Sequence, residues 1–192
     1  MRKFILSLTL LLGLAVISHA QSFDRNTKSI TAGIGIGSNL FIGGSSMEIP
    51  PTSATFEYSL DGRWGIGAVI GVAGARQTIS TTTINFINGK EYRSNYKGEF
   101  DYTGVLIGAR GAYHFFHNEK WDTYAGAVLG LNIISTNYSD NEKDKYKLQS
   151  SGSFVNLGLF GGAKYYFTPV FGLFTELGYN VAFFNAGVSF KF

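Results

Sequence analysis

Five charged side chains stand within stretches otherwise built of glycine, apolar and hydroxyl-bearing residues: Glu57, Arg110, Lys164, Glu176 and Lys191. Held in one narrow enclosure they would pair across it, because an unpaired charge away from water is costly. Such a set serves either as a gated ion path or as a structural salt-bridge plug. The plug is favoured, because the space that eight strands enclose is only just wide enough for side chains.

Other chemistry is thin. His114 and His117 are the histidines outside the N-terminal segment. Both fall near one short turn, so no Ser-His-acid set is expected and no catalytic residue is assigned. His117 reads as a turn residue. Without cysteine or a histidine cluster at ligand spacing, no metal site is expected. The run Gly33-Ile34-Gly35-Ile36-Gly37 departs from a dinucleotide loop. Ser38 occupies the third-glycine position and no helix follows. No cofactor is expected.

The elements that would position the charges emerge once the N-terminus is set aside. Arg2 and Lys3 precede an apolar run, Phe4 to Ile17, and Ser18-His19-Ala20 ends it with small residues at the positions a signal peptidase reads. The run is shorter than the ~20 residues of a spanning helix. The expectation is a signal peptide over 1–20, cleaved after Ala20, and a single barrel domain over 21–192. Losing Arg2 and Lys3 leaves 14 basic against 13 acidic residues, a net +1 in place of +3. A nucleic-acid partner is not supported.

Beyond Gln21 the apolar residues recur with period two and no helical period is sustained. Eight strands are predicted: Ser29–Ser38, Thr52–Leu60, Trp64–Gln77, Glu99–Phe116, Trp121–Ser135, Ser151–Phe167, Val170–Tyr179 and Phe184–Phe192. Pro50 and Pro51 are placed before the second, and Pro169 in a turn. Tight turns at 61–63, 117–120 and 168–169 alternate with longer connections at 39–51, 78–98 and 136–150 and a shorter one at 180–183. An aromatic follows each tight turn (Trp64, Trp121, Phe171). This is an up-and-down meander whose short turns share one end.

Alternation sorts the strands into two faces. One carries residues such as Ile34, Ile70, Ile107, Leu131, Leu157, Leu177 and Phe190. The other carries glycine, threonine, asparagine and the five charges. A face turned to water should be rich in Lys, Glu, Arg and Asp, whereas charged residues are only 15% of the chain against ~25% in soluble domains. Glycine is costly inside a strand unless space demands it. The apolar face therefore meets lipid and the glycine face lines the lumen: an all-β, eight-stranded antiparallel transmembrane barrel. A soluble lipocalin-like barrel inverts this arrangement and is disfavoured. Aromatics are expected at two interfaces: Trp64, Tyr113, Phe115, Trp121, Tyr165, Phe167, Phe171 and Phe190 at the short-turn end, and Phe100, Tyr102, Phe154 and Tyr179 at the other.

On this pattern the chain resembles the small outer-membrane β-barrels of the OmpA/OmpX type, and the PorT-like outer-membrane barrel proteins of Gram-negative envelopes. The likeness spans roughly 21–192. Its sharpest element is the final strand, in which Val188, Phe190 and the terminal Phe192 are similar to the signal read by the barrel-assembly machinery. The resemblance implies insertion by that machinery into the outer membrane.

Both termini are expected to face the periplasm, with the long connections outside. The leading functional expectation is a structural or surface-interaction role through residues 78–98 and 136–150, toward an extracellular protein or other surface partner. The alternative is a narrow conduit for small or hydrophobic solutes. Asn88-Gly89 is a strong hairpin signal, so the third and fourth strands are expected to continue as a protruding hairpin. Asp140–Lys147 mixes both charge signs and is expected to stay solvated.

Overall fold

The computed structural model describes residues 22–38, 46–87, 90–140 and 148–192. The leader expected at 1–20, the Asn88-Gly89 turn and all but the first residue of the Asp140–Lys147 stretch lie outside them. Among the described residues the chain forms eight strands: β1 (Lys28–Ile36), β2 (Ser46–Ser59), β3 (Trp64–Ile87), β4 (Lys90–His117), β5 (Trp121–Asp140), β6 (Leu148–Tyr166), β7 (Phe171–Gly178) and β8 (Phe184–Lys191). Each pairs with the next, and β8 closes on β1 antiparallel from Ser29↔Lys191 to Ile36↔Phe184. Closure leaves no free edge around the ring.

The strands differ greatly in height. β1, β7 and β8 have 9, 8 and 8 residues, near the ~9–11 of a tilted spanning strand. β3, β4, β5 and β6 have 24, 28, 20 and 19. Their excess lies at the end opposite the chain termini. β3 and β4 hold one register from Trp64↔Tyr113 up to Ile87↔Lys90. The third and fourth strands thus continue through 78–98, as expected of a protruding hairpin, and β5 and β6 likewise extend into 136–150.

Pro50 and Pro51 correct one expectation. They lie inside β2 rather than before it, where the pairing with β3 shifts between Ile49 and Thr52. A proline donates no backbone hydrogen bond, so it is accommodated where the ladder is irregular.

The turn end is built by one repeated device. The Asp61 carboxylate accepts the N–H groups of Arg63 at 2.9 Å and Trp64 at 2.7 Å. The Asn118 side-chain oxygen accepts those of Lys120 at 2.9 Å and Trp121 at 2.8 Å. The Thr168 hydroxyl accepts that of Phe171 at 2.9 Å. In each turn a side-chain oxygen captures the N–H of the aromatic residue three positions on, and so sets where the next strand begins. These rings join a girdle running Trp121–Tyr165–Phe167–Phe171–Phe190, with Trp64 on Tyr113.

The apolar set faces outward: Ile36, Val155 and Leu157 keep about two thirds or more of their surface uncovered (72%, 67% and 71%). The glycine set faces the lumen. A Cβ on Gly65 would lie 2.6 Å from a Glu57 carboxylate oxygen, and one on Gly162 2.7 Å from the Tyr124 hydroxyl. The lumen is not polar throughout, however. Val69, Leu106, Val128 and Phe160 are buried in it together with Ala112, Tyr124 and Val181. The interior thus has a charged layer toward the turn end and an apolar layer beyond it.

The second aromatic interface is also corrected. Tyr102 pairs with Ala75, and Phe154 with Asn132, and both partners are buried inside. Tyr102, Phe154 and Phe100 therefore share the inner face, because directly paired residues point to the same side of a sheet.

Candidate functional site

Alternation along β2, β4, β6 and β7 brings four of the five predicted charges into two ion pairs. The Lys164 ammonium donates to Glu57 at 2.8 Å and to the Ser29 hydroxyl at 3.3 Å. The Arg110 guanidinium donates to Glu176 at 3.0 Å, and the Tyr124 hydroxyl donates to the same carboxylate at 3.2 Å. Arg110 also lies 3.9 Å from the centre of the Phe160 ring, where the charged layer meets the apolar one. The Lys191 ammonium lies 4.6 Å from the centre of the Tyr166 ring. Ser29, Thr31, Thr55, Glu57, Arg110, Tyr124 and Lys164 surround a space too small for a water molecule.

Two further members of this layer, His114 and Asp122, are not placed in it by the sequence reading. His114 is fully buried, with Nδ1 2.6 Å from Asp122 and Nε2 3.2 Å from Glu57. Asp122 is also fully buried, its second oxygen 3.8 Å from Lys164. Period-two alternation did carry the signal. His114 lies between the outward Tyr113 and Phe115, and Asp122 two places before Tyr124 and four before Gly126. Proximity to the turns concealed it, because such residues read as turn chemistry.

Among the described residues, a side chain enters the barrel from each end. At the turn end Ser22 donates its N–H to the Asn118 carbonyl at 2.8 Å and its hydroxyl to the Trp121 carbonyl at 2.7 Å. This folds Phe23 into the barrel, 1% exposed and stacked on His114. At the other end the β7–β8 connection turns inward. Val181 joins the apolar layer, occupying space that a side chain on Gly71 would claim. Ser38 donates to the Val181 carbonyl at 3.0 Å. A hydrophobic side chain at each end thus keeps water from the ion pairs, which strengthens them electrostatically.

Above the lumen the polarity of the tall strands reverses. The outer face of β3 and β4 becomes charged. Arg76 bridges Glu48 at 2.9 Å and Asp101 at 2.5 Å, Lys97 bridges Glu99 at 2.6 Å, and Arg93 pairs with Glu91. The Lys97 ammonium holds the Glu99 carboxyl below its ordinary value. The inner face becomes apolar, with Ile79, Phe100 and Tyr138 lining a cavity of about 400 Å³ with Thr81, Gly98, Thr136 and Ser150. This polarity is that of a sheet in water, not in lipid.

A closed antiparallel ring with an apolar belt outside and a sealed polar layer inside defines a small outer-membrane β-barrel. The chain belongs to the Opacity family of porin proteins, whose model matches residues 81–189, more than half its length. No curated protein matches it. Among solved structures it is similar to Ail, the attachment invasion locus protein of Yersinia pestis. The similarity is at 15% identity over 88% of this chain and 99% of that one, with TM-scores of 0.49 and, for the complex with the heparin analogue sucrose octasulfate, 0.48. The N-terminal β-barrel domain of Pseudomonas aeruginosa OprF is similar at 15% identity, 88% and 99% coverage and a TM-score of 0.49.

Proposed function

We propose that this outer-membrane barrel is a surface-interaction protein whose sealed ring anchors a standing sheet of β3 to β6 outside the cell. The observation that carries this reading is the reversal of polarity along those strands. An apolar outer face up to Val72 and Ile133 gives way to Arg76, Asp101, Glu99 and Lys97 beyond. Only a change of surroundings from lipid to water makes both halves of one strand favourable.

The remaining parts of the reading rest on the sequence pattern together with this orientation. Both termini face the periplasm. Residues 1–20 are a leader cleaved after Ala20, and the mature domain spans 21–192. The barrel-assembly machinery reads Val188 and Phe190, on the outward face of β8, together with Phe192, which follows it. The partner is an extracellular protein or other surface molecule that meets residues 78–98 and 136–150. We read Glu57, Arg110, Lys164, Glu176 and Lys191 as a structural plug, without catalytic use.

Protease treatment of intact cells tests the orientation. Cleavage within 78–98 or 136–150 is expected. Cleavage confined to Asp61–Arg63 would place the turn end outside and overturn the reading.

A further inference from the structure

The residues before β1 lie across the turn end. Asn26 donates its N–H to the Ser59 carbonyl at 3.1 Å, and Ser59 donates back to the Thr27 carbonyl at 2.9 Å, which ties them to β2. Ser22 is fixed to both sides of the β4–β5 turn through Asn118 and Trp121. Between these ties Phe23 turns inward and lies flat on His114. Residues 22–27 thus form a strap held at its two ends, with one ring seated on the charged layer.

The seat of that ring has a charge requirement. His114 presents Nδ1 to Asp122 and Nε2 to Glu57, both within hydrogen-bond reach. A neutral imidazole donates from one nitrogen, whereas an imidazolium donates from both. The surrounding charges agree. Glu57 of β2 and Asp122 of β5 face Lys164 of β6, which leaves one negative charge that His114 balances when protonated. Arg110 of β4 is matched by Glu176 of β7. Tyr124 of β5 stands 5.3 Å from the His114 ring, His117 of β4 is paired with Asp122, and Lys191 of β8 lies over Tyr166 of β6. An aromatic face attracts a cation, so Phe23 favours the same charged form, and its ring also stands 5.9 Å from the Lys164 ammonium.

We propose that Ser22 and Phe23 are a pH-sensitive cover over the charged layer, latched while His114 is an imidazolium and released once it is neutral. Loss of the proton leaves one carboxylate facing a ring-nitrogen lone pair and removes the charge on which Phe23 rests. The seat then holds an uncompensated buried carboxylate, which is costly until water reaches it. Lifting Phe23 admits that water, while the ladders that hold β1 to β2 and β8 stay in place. The device goes beyond the surface reading, since it acts at the opposite end of the barrel.

The test uses the full mature barrel refolded in detergent micelles. The chain has no cysteine, so Ser22→Cys places one thiol under the cover. Arg25→Cys, at an exposed position of the strap, gives an open reference. The ratio of their maleimide labelling rates removes the ordinary rise in thiolate with pH. That ratio is expected to rise about tenfold between about pH 5 and about pH 9, a span that contains the ordinary titration of histidine. Adding His114→Gln is expected to give the high ratio throughout, and adding His117→Gln to keep the parent response. Nitrogen NMR of the His114 ring, with His117→Gln removing the other histidine signal, is expected to show titration at the pH where labelling rises. A heat-modifiable gel shift verifies that each variant is folded; where His114→Gln does not fold, the coincidence of ring titration and labelling decides. A ratio that ignores pH, an unchanged response in His114→Gln, or titration of the His114 ring without a change in labelling would overturn the proposal.

Discussion

The phenyl ring of Phe23 lies flat on the imidazole of His114, with centroids 3.4 Å apart and planes 5° from parallel. A residue preceding the first strand thereby covers a histidine held between Asp122 and Glu57. Phe23→Ala is expected to uncover that layer and destabilise the barrel by about 3–5 kcal/mol, the usual cost of emptying a buried aromatic site. Thermal unfolding in micelles measures the loss. Leu at the same position should restore much of it, and an alanine variant as stable as the parent would show that Phe23 seals nothing.

The pair Arg110–Glu176 is expected to behave as a buried unit. Arg110→Met or Glu176→Leu alone leaves one charge without its partner and should cost about 3–5 kcal/mol. The double variant should recover most of that, because an apolar pair of similar size replaces a desolvated ion pair at little net cost. A double-mutant cycle in urea reads the coupling; additive losses would deny it.

The turn capped by Asp61 makes a pH-dependent contribution. The N–H groups of Trp64 and Arg63 hold its pKa below the ordinary 3.8. The folded chain thus favours the carboxylate. The stabilisation is present above the unfolded value and lost as pH falls through the lower folded value. Asp61→Asn keeps an acceptor without the titration, so its unfolding temperature should vary less with pH below about 4 than the parent's. Parallel acid limbs for the two proteins would contradict this.

The device in the next turn should be measurable without pH. Asn118→Ala removes the acceptor of two N–H groups and is expected to cost about 1 kcal/mol, the net worth of a typical hydrogen bond. Equilibrium unfolding of the refolded variant provides the value.

Conductance separates a plugged lumen from a pore. The refolded parent in a planar bilayer is expected to show no discrete openings, because Phe23 and Val181 are buried inside the barrel and the space among Glu57, Arg110 and Lys164 has no room for water. Regular openings would revive the conduit.

The ring was legible because β-structure writes its faces into alternate residues. Ile34, Ile70 and Leu157 fell on one side and Gly65, Glu57 and Lys164 on the other. Lumen width explains the glycines. The aromatic after each tight turn was visible too. Its capture by Asp61, Asn118 or Thr168 uses the same three-residue spacing.

Period-two patterning, then, determined the strand count, the two faces and the solvent of each, because those depend on the chain's own repeat. Tertiary structure alone decided which acid meets which base, since Glu57 and Lys164 are 107 positions apart and closure of the ring sets their distance. It also decided that His114 lies under Phe23 and that Val181 turns inward. Alternation likewise could not locate the height at which polarity reverses, because period two is unchanged there. Only the shared registers of β3 to β6 show Phe100, Tyr138 and Gly152 turning to the same inner side.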